Sequence, residues 1–144
     1  MVNEGDRDQS KMKFDALVRA MDLADYVITI TANEKVFTPN KQNALTNTII
    51  STAVDIYIQA YNANEIRVGD SREEWERRSE KQKVAIEKCK DMLALIQLSR
   101  KVFHLTSKRI KYWGSKAKNV KDALISWHAS DTKRYEDHLR SLGL

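Results

Sequence analysis

Glycine and proline are scarce in this chain, four Gly and one Pro in 144 residues. A β-sandwich or barrel needs a turn roughly every 8–12 residues, and turn chemistry on that scale is missing. Cysteine is rarer still. The single Cys89 excludes an internal disulfide and a thiolate zinc site, and it suits a reducing compartment. No apolar run approaches the roughly 20 residues of a bilayer-spanning helix. The opening Met-Val-Asn-Glu-Gly-Asp is polar and acidic, unlike a secretion signal. These absences predict a cytoplasmic protein with no membrane partner. Wholesale disorder is excluded by 42% hydrophobic against 31% charged residues.

What is present is helical periodicity. After a polar, unpatterned stretch over 1–10, read as a flexible tail, apolar residues at 14, 17, 18, 21, 24 and 28 form an amphipathic stripe and predict a helix over 11–31. Thr38-Pro39 then offers an N-cap and a first-turn proline, and a second helix is predicted to run to about residue 68. Ser71-Arg72-Glu73-Glu74 reads as a capping box opening a third helix over 72–104, with Gln82, Ala85, Ile86, Cys89, Leu93, Ile96 and Phe103 inward. Thr106 or Ser107 caps a fourth, predicted to end near residue 129, with Ile110, Trp113, Ala117, Val120, Leu124 and Trp127 inward. Residues 130–144 form a polar extension in which Tyr135, Leu139 and Leu142 suffice for a short terminal helix. The expected fold is therefore all-α, an antiparallel up-down-up-down four-helix bundle over 11–129.

The second helix is unusual, because Asp55 is its sole charge between Gln42 and Asn64. Beside the stripe Leu45, Ile49, Ala53, Ile56, Ala60, Ala63 it carries another: Asn43, Asn47, Ile50, Val54, Tyr57 and Tyr61, spaced 4-3-4-3-4 as in a coiled-coil seam. Either this helix touches two neighbours within its own bundle, or the second stripe is a subunit interface with the asparagines setting register.

The formal charge of +5 is unevenly spread. Residues 106–130 carry Lys108, Arg109, Lys111, Lys116, Lys118 and Lys121 against Asp122 alone, while residues 1–33 are net negative. A cationic stripe opposite an apolar face is either a solvated surface or a phosphate-binding one, and Tyr112 and Trp113 beside it could stack on bases where exposed. Trp113 and Trp127 also sit on the apolar stripe, which assigns them to the core. Arg77, Arg78, Lys81 and Lys83 form a weaker second basic set, interrupted by acidic neighbours.

Catalytic chemistry is absent from the pattern. No phosphate loop, dinucleotide turn or nucleophile elbow occurs, and there is no Glu-x-x-His for a di-metal bundle. His104, His128 and His138 fall at or beyond predicted helix C-termini, where a cation is mildly favourable. No enzyme activity, cofactor or metal is expected.

Several stretches together resemble a known family. They are Met21-Asp22-Leu23-Ala24-Asp25-Tyr26-Val27 in the first helix and Asn47-Thr48-Ile49-Ile50-Ser51-Thr52-Ala53-Val54-Asp55-Ile56, then Ala63-Asn64-Glu65, in the second. Gln82-Lys83-Val84-Ala85-Ile86-Glu87-Lys88-Cys89-Lys90 follows in the third, then Leu105-Thr106-Ser107-Lys108-Arg109 and Ile125-Ser126-Trp127 in the fourth. Over residues 12–129 the chain resembles the accessory variability determinant (Avd) proteins of diversity-generating retroelements. It is similar, more distantly, to the four-helix proteins encoded in ribosomal-RNA intervening sequences. The Gly-Gly-Trp common near the end of Avd helix 4 is represented here only by Trp127. The resemblance implies a bacterial or phage-encoded protein forming a barrel-like homopentamer with a basic surface. It also implies a reverse-transcriptase partner and contact with template RNA or cDNA during mutagenic reverse transcription. The alternative it implies is a protein–protein interaction module of the intervening-sequence type, without a direct nucleic-acid role.

Overall fold

The computed structural model describes residues 4–39 and 42–144, and the side chains of 10–39 and 44–144. Four helices account for nearly all of it: α1 (Glu4–Thr31), α2 (Gln42–Glu65), α3 (Arg72–Phe103) and α4 (Ser107–Ser141), with no strand among the described residues. Each helix packs beside two others, α1 and α3 both lying against α2 and α4. With three short connections, that arrangement is the antiparallel four-helix bundle.

The helix starts follow local chemistry. The Ser71 hydroxyl accepts from the Glu74 N–H at 3.3 Å, and the Thr106 hydroxyl accepts from the Arg109 N–H at 3.2 Å. His104 ends α3 in the left-handed conformation, φ 54°, its N–H donating to the Arg100 carbonyl. The start expected at Thr38-Pro39 borders residues outside the described set.

Two boundaries move outward. Residues 4–10, expected to be a loose tail, belong to α1. Their composition, with Glu4, Asp6 and Asp8, suits a helix N-terminus, where the exposed N–H groups favour negative charge. At the other end α4 continues without a break to Ser141, rather than stopping near 129. One turn beyond Trp127 the inward position is taken by Asp131, which is buried and carries a salt bridge. The inner stripe therefore goes on through a charged residue that apolar periodicity could not count.

The core joins Leu23, Val27, Ile49, Ile56, Met92, Ile96, Trp113, Leu124 and Trp127, all essentially without exposure. Phe37, from the α1–α2 connection, plugs one end against Phe103 (4.7 Å between ring centres) and Trp113 (6.1 Å). Ile66, Val68 and Trp75 form a small second cluster at the opposite end, with Tyr135 against it.

The inward face of α1 differs from the expected one. Ala16, Ala20, Leu23, Val27 and Ile30 are buried, while Phe14 is 65% and Met21 52% exposed, with Val18 and Ile28 also outside. Leu17 and Ala24 remain half-buried at its edge. Both stripes have helical spacing, so periodicity alone did not choose between them. An interior that holds two tryptophans is filled by setting small residues opposite large ones, and the alanine-bearing face of α1 supplies the small side.

Candidate nucleic-acid interface

The basic segment of α4 begins at a tight corner. Only residues 104–106 separate α3 from α4, so the last turn of α3, with Arg100 and Lys101, comes beside the first turn of α4. The Arg100 guanidinium donates to the Ser107 hydroxyl at 3.5 Å. Exposed Lys101, Lys108 and Lys111 complete a cationic corner.

The six predicted α4 cations divide by position. Lys108, Lys111 and Lys118 are exposed, whereas Arg109, Lys116 and Lys121 are half-buried. They therefore do not form one stripe: at about 100° per residue, Arg109 and Lys116 turn toward α1 and Lys121 toward α3. None of the six takes part in an ion pair among the described residues. By contrast, Arg72, Arg77 and Lys90 are matched to Glu76, Glu74 and Glu87 on their own helix.

The second basic set largely comes apart. Arg77 is held by Glu74 at 2.7 Å. Half-buried Lys81 shares a shallow hollow with Glu65 and Glu74. Lys83 stays exposed. Arg78 is corrected outright: it is 7% exposed and faces the interior. Its Nε and Nη2 donate to the two Asp131 carboxylate oxygens at 2.7 and 3.2 Å, and Nη1 donates to the Ile66 carbonyl at 3.4 Å. The guanidinium also lies over the Trp127 ring, 5.2 Å from its centre. A bidentate, ring-stacked arginine in that position ties α3 to α4 and has no face left for phosphate.

An aromatic group that the sequence did not bring together flanks the corner. Tyr26 of α1 meets Tyr112 of α4 edge-on, with ring centres 5.2 Å apart and planes at 64°. The Lys116 ammonium sits 5.1 Å from the Tyr112 ring centre and 5.8 Å from that of Tyr26. Tyr112 is 55% exposed, whereas Trp113 is fully buried. Of the two aromatics expected beside the cations, only the tyrosine can reach a ligand. Tyr26, Thr106, Lys108, Arg109 and Tyr112 line a depression of about 510 Å³, and the buried Tyr26 hydroxyl has no hydrogen-bond partner. Tyr26, Arg100 and Lys101 are the residues that sequence reasoning missed: Tyr26 joins the site through packing against Tyr112, and Arg100 and Lys101 through the short turn from α3 to α4.

Two titratable groups away from the corner, Cys89 and His128, are held in structural surroundings. The Cys89 thiol is buried and pushed up to about 12, chiefly by burial, with Lys121 opposing. His128 Nε2 lies 2.9 Å from the Ser79 hydroxyl, and burial followed by the charge of Lys83 lowers its pKa. No group of His, Cys, Asp and Glu among the described residues could hold a metal ion. No helix among them is long and apolar enough to cross a membrane.

A second surface lies between α1 and α2. Of the α2 stripe, Asn47 and Tyr61 are exposed and Ile50, Val54 and Tyr57 half-buried; the Asn43 side chain lies outside the described residues. Asp55, on the other edge of α2, reaches Lys88 of α3 at 3.5 Å, which turns Ile50 and Tyr57 toward α1. On α1, Met12, Asp15 and Arg19 face α4, so half-buried Leu17 and Ala24 face α2. At about 100° per residue, Phe14, Met21 and Ile28 lie just outside Leu17 and Ala24, and Val54 and Tyr61 just outside Ile50 and Tyr57. The two helices therefore present adjoining apolar rims.

Fold and surface define an all-α, four-helix bundle with a cationic corner and an uncovered apolar side. The chain is similar to a solved structure from Bacteroides thetaiotaomicron, described as a protein with unknown function from the S23 ribosomal protein family. The likeness has a TM-score of 0.68 at 12% identity, over 82% of this chain and 98% of that one. No protein-family model and no curated protein matches the chain.

Proposed function

We propose that this chain is a non-enzymatic, self-associating helical bundle that binds nucleic acid and accompanies a reverse transcriptase of a diversity-generating retroelement. The observation that carries the nucleic-acid part is the set of α4 cations without carboxylate partners among the described residues, of which Lys108, Arg109 and Lys111 gather with Arg100 and Lys101 at one corner. Cations matched within their own helix have their field already cancelled. Unmatched ones keep it, and each phosphate they neutralise releases counterions. The adjoining apolar rims of α1 and α2 support self-association, since contiguous exposed apolar surface marks an interaction site. The reverse-transcriptase partner rests on the resemblance to the Avd proteins.

The work of such a protein is positioning and charge neutralisation. In a ring, each added subunit contributes another cationic corner, so the assembly is far more basic than one chain's +5 suggests. The test has two arms. RNA and DNA binding is measured against salt, and a steep loss of affinity as salt rises is expected. Co-purification is then sought with a reverse transcriptase encoded beside the chain. No affinity for either nucleic acid at low salt removes the first part of the reading, and absence of a neighbouring reverse transcriptase removes the second. In that case the apolar rims favour the protein–protein interaction module of the intervening-sequence type.

A further inference from the structure

We infer that the depression at the start of α4 takes an unpaired nucleotide, its base stacked on Tyr112 and its phosphates held by Lys108, Arg109 and Lys111, so that the protein prefers single strands to duplex. This rests on the nucleic-acid reading above and assigns it a ligand class. A duplex offers phosphates to any cationic surface but keeps its base faces stacked internally. Only an unpaired base has a free face for an aromatic ring.

Three features of the corner suit that ligand and are superfluous for phosphate alone. Tyr112 is a large ring left 55% exposed among cations. It is held in place rather than loose, edge-on against Tyr26 and beside the Lys116 ammonium, so little side-chain freedom is lost when a base settles on it. The depression beside it, about 510 Å³, falls in the size range of small-ligand sites, and Tyr26 is among the residues that line it. Farther along the α1–α4 groove the lining mixes Asp15, Asp22 and Asp122 with Lys11, Arg19 and Lys116, so opposite charges offset one another there. At the α3–α4 corner Arg100, Lys101, Lys108 and Lys111 have no carboxylate partner among the described residues, and the strand's backbone is drawn across that corner.

The test measures binding of labelled oligo(dT), oligo(rU) and a duplex of equal length to the wild-type chain and to Tyr112→Ala, Tyr112→Leu and Tyr112→Trp. Circular dichroism checks that each variant keeps its helicity. Wild type is expected to bind both single strands more tightly than duplex. Tyr112→Ala and Tyr112→Leu should weaken single-strand binding on the order of 10-fold, leave duplex binding unchanged, and leave the salt slope unchanged because no cation is removed. Tyr112→Trp should retain single-strand affinity. Wild-type-like single-strand binding by Tyr112→Ala, or an equal loss on duplex, overturns the stacking site and leaves the nucleic-acid reading standing. No binding of any strand by the wild type at low salt overturns both.

Discussion

Replacing Asp131 with alanine is the sharpest test of how this bundle is closed. Asp131 accepts two hydrogen bonds from Arg78 and one from Gln82 Nε2 at 2.7 Å, and Arg134 approaches it at 3.5 Å. In the variant, the Arg78 guanidinium keeps its place over the Trp127 ring but only one hydrogen bond, the long one to the Ile66 carbonyl, in a setting where it is 7% exposed. Removing one partner of a buried pair costs about 3–5 kcal/mol, because the other charge is left uncompensated. Gln82 also loses its acceptor, which alone costs about 1–3 kcal/mol. The two losses overlap, since one carboxylate serves both. A hollow of about 350 Å³ lined by Gln82 and Asp131 further allows water to reach the freed groups. The expected loss is therefore about 3 kcal/mol, a large part of the roughly 5–15 kcal/mol that stabilises a typical domain. Urea denaturation followed by helical circular dichroism measures it, and the double variant Arg78→Met with Asp131→Leu should recover most of the loss. A loss below about 1 kcal/mol with an unchanged denaturant slope would refute the account, and α4 beyond Trp127 would then be held by something else.

Other expectations follow from the same structure. Lys108→Ala and Lys111→Ala should each weaken RNA and DNA binding and lower the salt slope by about one, measured by fluorescence anisotropy across a salt series; an unchanged slope removes that lysine from the phosphate-contacting set. Met21→Glu, at an exposed position, should change stability by no more than about 0.5 kcal/mol yet lower the mass in solution by light scattering, and an unchanged mass excludes this side of α1 from self-association. Burial lowers the pKa of His128 in the folded chain, so the unfolded chain binds the extra proton first as pH falls through the ordinary histidine value near 6.5. Stability should therefore decline as pH falls below about 6.5 and level off below the folded value, and His128→Gln should flatten that part of the curve in thermal melts.

Legibility varied between helices for definite reasons. The α4 stripe from Ile110 to Trp127 is legible at every position, and all six residues are buried. That face carries large apolar residues and the opposite face carries lysines, so one assignment satisfied the pattern. On α1 two apolar stripes compete, and hydrophobic periodicity turns the larger residues, Phe14, Val18, Met21 and Ile28, inward although they lie outside. Hydrophobicity ranks Phe above Ala for burial, but space inside the bundle ranks them the other way. The Ser71 cap, and a cap at Thr106 or Ser107 that the structure gives to Thr106, were legible because a cap is made within one turn. Arg78 was not, since its partner Asp131 lies 53 residues away. A basic residue in a charged stretch reads as surface until that partner is known.

The all-helical class, the number of helices, the caps of α3 and α4 and the concentration of positive charge in 106–130 were all present in local order along the chain, because each depends on neighbours within a few residues. Four matters waited for the packed bundle: which face of α1 is inward, how far α4 extends, which cations are already matched, and that Tyr26 stands against Tyr112. Each depends on which side chains from distant segments share the same space. Turn scarcity, the feature that first pointed to long helices, also bears on the site. With so few breaks, the chain turns from α3 to α4 in only three residues, and that corner sets Arg100 and Lys101 beside Lys108 and Lys111.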